Sequence, residues 1–242
     1  MLLQKNTTRR KFLLGSLMAL PLTELVLKGL TAAQAAEMAA PDLNHYQPAF
    51  FTPQEWQFIL AATDRMIPPG GAGKAPGALE TNVPVFIDQQ LHDKNFGQEI
   101  YMQGPFDAHA PATMGYQVPL YPQQIYQTGI RLTDQWTLQH LQKPFHQLSD
   151  TDKDNVLTAL QKNTLDFAAL GENTLRGSLF FSQLLAETKH GYLADPMYGG
   201  NKGMKAWIAI GFPGARASYL EWVKQHNVKY PLGPVSLSGE TA

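Results

Sequence analysis

The chain has 242 residues, a formal charge of −1 and no cysteine. Its length suits one domain with appendages, and about 200 residues can bury a core without a disulfide or metal staple. The missing cysteines exclude disulfides, thiolate zinc sites, iron–sulfur clusters, C-x-x-C-H haem attachment and a Cys nucleophile, though not an oxidising compartment; the balanced charge leaves no nucleic-acid footprint.

The first residues read as a targeting segment. Lys5, Arg9, Arg10 and Lys11 form a basic start, and residues 12–22 an interrupted apolar stretch. Small residues follow, with Ala33 and Ala35 framing an A-x-A cleavage site. Arg9 and Arg10, followed by Lys11, Phe12 and Leu13, resemble the twin-arginine export motif. An uncleaved anchor is the competing reading, but the run is short and broken for a spanning helix. Loss of residues 1–35 removes five Lys/Arg and one Glu, leaving a formal charge of −5. Residues 36–50 read as an extended linker.

The expected fold is mainly α: one irregular helical domain of about five to six helices with long loops, over residues 51–225. Thr52, Pro53 and Glu55 have the pattern of a capping box with Pro at the first helical position. Trp56, Ile59, Leu60, Thr63 and Ile67 then share one helical face. Asp64 and Arg65, near the end of that helix, are expected to be solvated or paired locally. Gly71, Gly73 and Lys74 match neither a phosphate loop, where Pro68 and Ala75 replace the first glycine and the Ser/Thr, nor a dinucleotide fingerprint, where Pro76 replaces the last glycine.

A second helix is expected over residues 83–91, with Phe86, Ile87 and Leu91 apolar. Residues 92–119 lose periodicity and read as a long surface loop, ordered by a partner. A third helix begins at Tyr121 and Pro122, carries Ile125, Gly129, Leu132 and Trp136, and ends before Pro144. Ser149 starts a fourth, with Asp150, Asp152 and Asp154 as helix-start charges rather than a calcium loop; Val156, Leu157 and Leu160 supply its buried face. Leu179, Phe180, Leu184 and Leu185 mark a fifth. A short helix is expected near residues 219–223, and residues 226–242 read as a loose tail.

The most organised stretch is 195–214. Asp195-Pro196 opens a turn. Gly199, Gly200, Asn201 and Gly203 permit backbone angles closed to most residues. Trp207, Ile208, Ile210 and Phe212 then concentrate apolar area. No catalytic constellation accompanies it. The seven histidines lack H-E-x-x-H or i, i+4 pairing, and no serine sits in a nucleophile elbow.

This stretch resembles the signature of the gluconate 2-dehydrogenase subunit 3 family. The matching residues are Asp195, Pro196, Tyr198, Gly199, Gly200, Asn201, Gly203, Met204, Trp207, Gly211, Phe212, Pro213 and Gly214. Residues 64–68 and 76–80 resemble further family segments. The resemblance implies the non-catalytic small (gamma) subunit of a membrane-bound dehydrogenase complex on the periplasmic side of the inner membrane, most simply gluconate 2-dehydrogenase. It implies as partners an FAD-binding large subunit, a multihaem cytochrome c subunit and the twin-arginine translocase. FAD and c-type haem would reside in those partners, and this chain would hold no cofactor, metal or catalytic residue. Asp195, Tyr198, Gly199, Gly200, Asn201, Trp207 and Phe212 are the candidate subunit-interface residues. The alternative is an independent periplasmic enzyme with a site near His190, Asp195 and Tyr198.

Overall fold

The computed structural model describes residues 42–70, 75–97 and 100–242. Arg9, Arg10, Phe12, Leu13, Ala33 and Ala35 lie outside them, as do residues 71–74 of the glycine loop. The fold is mainly helical, and the described residues contain no strand beyond two isolated bridges, Gly214 with Val235 and Val235 with Thr241. Six α-helices carry it: α1 Pro53–Met66, α2 Val83–His92, α3 Pro122–Leu141, α4 Asp150–Gln161, α5 Gly177–Leu193 and the short α6 Lys205–Ile210.

Local chemistry sets the helix starts. Thr52 and Glu55 form the capping box of α1. Ser149 caps α4, accepting from the Asp152 amide at 3.2 Å. The expected short helix near 219–223 is a single 3₁₀ turn, Leu220–Trp222.

Helix α5 is central, since each of the other five α-helices packs against it. Its Phe180 lies edge-on to Tyr126 and close to Phe58, which itself meets Phe145 at 4.5 Å. All four rings are fully buried. This packing requires Gly129 on α3, where a Cβ would sit 2.3 Å from the Phe180 ring. The polar residues of the helical core satisfy themselves. Thr63, Thr133 and Thr188 each donate to the carbonyl four residues back.

Three expectations change. Arg65 is paired across the fold rather than locally. Its Nε and Nη2 donate to Asp154 at 2.8 and 2.7 Å, and its Nη1 donates to Asp150 at 3.0 Å. That pair clamps the end of α1 to the start of α4 and holds the Asp154 carboxyl below the usual carboxylate range. The tail is not loose throughout: the Ala215 amide donates to the Val235 carbonyl, and Ser236 is buried. Its Pro and Gly content permits this return, because Gly214 lets the Val235 backbone approach where a Cβ would leave 2.1 Å.

The third change concerns residues 42–51, expected to be an extended linker. They are docked on the body by Asp88 of α2, a fully buried side chain that helical periodicity did not single out. Its Oδ2 accepts from the Tyr46 hydroxyl and the Ala49 amide, both at 2.8 Å. Its Oδ1 accepts from the Phe50 and Phe51 amides at 3.0 and 3.1 Å. Burial and the facing Asp88 push the Tyr46 phenol well above its ordinary value.

Four donors converge on Asp88, and an amide would turn two further N–H groups toward them. Asp88→Asn is therefore expected to cost on the order of 3 kcal/mol in urea unfolding. Hydrogen exchange at Ala49, Phe50 and Phe51 should accelerate well before exchange in α5. Unchanged protection of those three amides would refute the anchoring role.

Candidate functional site: the terminal loop of the central helix

A helix ends with carbonyls that have no partner within the helix. At the end of α5 the stretch 195–214 supplies those partners. The Gly191 carbonyl accepts from the Asn201 amide at 3.0 Å. The Leu193 carbonyl accepts from Trp207 Nε1 at 2.8 Å, and the Ala194 carbonyl from Asn201 Nδ2 at 3.0 Å. Asn201 is fully buried with φ +43°, a left-handed conformation that Asn tolerates. Its Oδ1 also accepts from the Ala206 amide at 2.9 Å, which starts α6. One side chain thus ends one helix and begins another.

The glycine beside it is set by contact. A Cβ on Gly200 would lie 2.2 Å from the Gly191 carbonyl oxygen. Backbone continues the attachment, since the Lys202 amide donates to the Thr81 carbonyl at 3.1 Å ahead of α2. Asp195 begins the turn Pro196–Tyr198: its Oδ1 accepts from the Met197 amide at 3.2 Å, and its Oδ2 from the Leu237 amide of the tail at 2.6 Å.

The seven candidate interface residues therefore divide. Asp195, Gly200, Asn201 and Trp207 are buried and hold the loop. Gly199 is half-buried against Gln89. Tyr198 and Phe212 stand at the surface, where Phe212 closes edge-on over Trp207 at 5.0 Å.

Outside this frame the surface is apolar. Fifteen large hydrophobic side chains are exposed among the described residues, and eleven lie between 193 and 237. Met197, Tyr198, Ile208, Ile210 and Phe212 belong to the loop itself. A groove of about 250 Å³ runs between Trp207, Ile208 and Phe212 on one side and Tyr230, Leu232 and Pro234 of the tail on the other. Sequence reasoning placed the apolar run but not its division, which α6 makes by turning Trp207 inward and Ile208 and Ile210 outward.

His190 pairs with Glu187 at 3.2 Å, the Asp195 carboxylate accepts from the Met197 and Leu237 amides, and the Tyr198 amide donates to the Asp195 carbonyl at 3.0 Å. Among the described residues no group of three or more His, Asp or Glu is placed to hold a metal.

The family model for gluconate 2-dehydrogenase subunit 3 matches residues 53–214. No curated protein and no solved structure matches the chain significantly.

Since Trp207 is a buried ring with a satisfied N–H, Trp207→Ala is expected to cost about 3–5 kcal/mol in denaturant unfolding. Gly200→Ala should also destabilise, by driving a methyl into the Gly191 carbonyl. Phe212→Ser should leave the unfolding midpoint nearly unchanged. Equal stability of all three variants would show that the loop does not cap α5.

Proposed function

The chain belongs to the gluconate 2-dehydrogenase subunit 3 family, and from that premise we propose that it is the non-catalytic small subunit of a flavin-dependent dehydrogenase complex, gluconate 2-dehydrogenase being the simplest assignment. The reading assigns sugar-acid oxidation to an FAD-binding large subunit and electron transfer to a multihaem cytochrome c subunit. No cofactor is assigned to this chain. The carrying observation is the concentration of exposed apolar side chains on residues 193–237. Exposed patches of this kind mark interaction surfaces. The capped loop beneath holds them in place before a partner arrives, which lowers the ordering cost of association.

In this reading residues 193–237 dock the flavin subunit. No helix among the described residues is long and apolar enough to cross a membrane, and this reading attaches the chain to the inner membrane through its partners. Export follows from the same assembly. A flavoprotein that folds around FAD in the cytoplasm needs a route for folded cargo, and the paired Arg9 and Arg10 of the bound small subunit supply the signal. Two adjacent guanidinium groups form a planar, many-donor surface that ammonium groups do not reproduce.

Ile208 and Ile210 are both more than half exposed, so Ile208→Ser with Ile210→Ser should leave thermal unfolding of the isolated chain unchanged. Capture of the flavin subunit from a co-expressing cell should fall at least about tenfold, the equivalent of one buried aliphatic side chain. Undiminished capture would place the interface elsewhere.

Arg9→Lys with Arg10→Lys should retain both proteins in the cytoplasm and abolish gluconate-dependent respiration in membranes. Immunoblots of periplasmic and cytoplasmic fractions read this directly. A flavin subunit that still reaches the periplasm has its own route, and co-export is then wrong.

A further inference from the structure

A second concave site lies away from the terminal loop. The first turn of α1 and the middle of α3 enclose a cleft of about 540 Å³, within the range of roughly 300–1,000 Å³ that holds small ligands. Its polar lining comes from Gln54, Glu55, Gln127, Arg131, Asp134 and Gln135, and Ile130 and Leu138 add apolar surface.

Much of that polar capacity is unspent. Glu55 uses Oε2 on the amide and hydroxyl of Thr52. Asp134 is only 6% exposed and accepts from the Phe145 amide through Oδ1 at 2.9 Å; the Gln54 amide reaches the same carboxyl. The Arg131 guanidinium donates no hydrogen bond among the described residues, although its charge helps hold the Glu172 carboxyl below its ordinary value. Gln127 and Gln135 are likewise without side-chain partners there.

Each amide offers a donor and an acceptor, which is the pattern a hydroxyl group presents in return. A carboxylate oxygen accepts from hydroxyls, and a guanidinium donates to their oxygens. Two carboxylates against one cation disfavour a phosphate or another multiply charged anion. Ile130 and Leu138 suit a ligand with a C–H face. We propose that this cleft binds a neutral polyhydroxylated small molecule of the sugar or polyol class. The site is independent of the docking surface, being built from α1 and α3 rather than from residues 193–237.

Polyols stabilise proteins generally by exclusion from the surface, so the readout is ligand-observed NMR rather than a melting shift. Saturation-transfer spectra of the full chain with sorbitol, glucose and gluconate, each with and without excess inorganic phosphate as competitor, are expected to show saturable binding of at least one neutral compound that phosphate does not displace. Arg131→Ala with Gln135→Ala should weaken it about tenfold or more, as expected for losing a charged hydrogen bond, with unchanged thermal unfolding. Ile208→Ser with Ile210→Ser should leave it intact. Absence of saturable binding by either neutral compound overturns the proposal. So does binding confined to gluconate, displacement of the neutral compound by phosphate, or binding indifferent to the Arg131/Gln135 variant.

Discussion

The carbonyls at the end of α5 are the constraint on which the rest depends. Helix α5 touches every other α-helix, and like any helix it ends with carbonyls that have no partner within it, one of them on the buried Gly191. An unpaired buried carbonyl is costly. Gly191, Leu193 and Ala194 are relieved by one amide, one indole and one carboxamide, all from the stretch 195–214. The density of glycine, Asn and Trp there is a consequence of that task. Gly200 provides the approach, Asn201 supplies donors and an acceptor from a left-handed backbone, and Trp207 seals the contact.

The other end of the chain is tied to the same region by a second buried polar anchor. Asp88 gathers three amides and a phenol from residues 46–51. Its neighbour on α2, Gln89, lies against Gly199 of the terminal loop. The segment that follows the basic N-terminal stretch and the loop that presents the apolar surface thus meet on consecutive residues of one helix. Both segments are thus tied to one helix of the core.

That arrangement explains the apolar exposure. A flexible loop carrying Ile208, Ile210 and Phe212 would collapse them into its own interior. Anchored through Asn201, Lys202 and Trp207, the backbone of α6 cannot turn over, and its outward residues stay outward. The aliphatic surface is therefore held open by hydrogen bonds beneath it.

The five longer helices were legible in the residues, while α6 and the 3₁₀ turn at Leu220–Trp222 were not. Thr52-Pro53 with Glu55, Ser149 before three acids, and apolar spacing through Ile125, Leu132 and Phe180 depend on neighbours within a turn or two, and local rules cover that range. The family resemblance was legible too, because 195–214 is a contiguous run. What the sequence by itself determined is a mainly helical domain with an unusual terminal loop. Only the tertiary structure decided which polar residues matter. Asp88 reads as a surface residue on an apolar helix until Tyr46 and three amides are brought to it. Arg65 reads as a local helix-end charge until α4 arrives 85 and 89 residues later. Asn201 and Trp207 resemble interface residues until the end of α5 appears beside them. The physical reason is common to all four: a buried polar group is stabilised by partners distant in sequence, and helical periodicity reports only which face is apolar, never which partner will meet it.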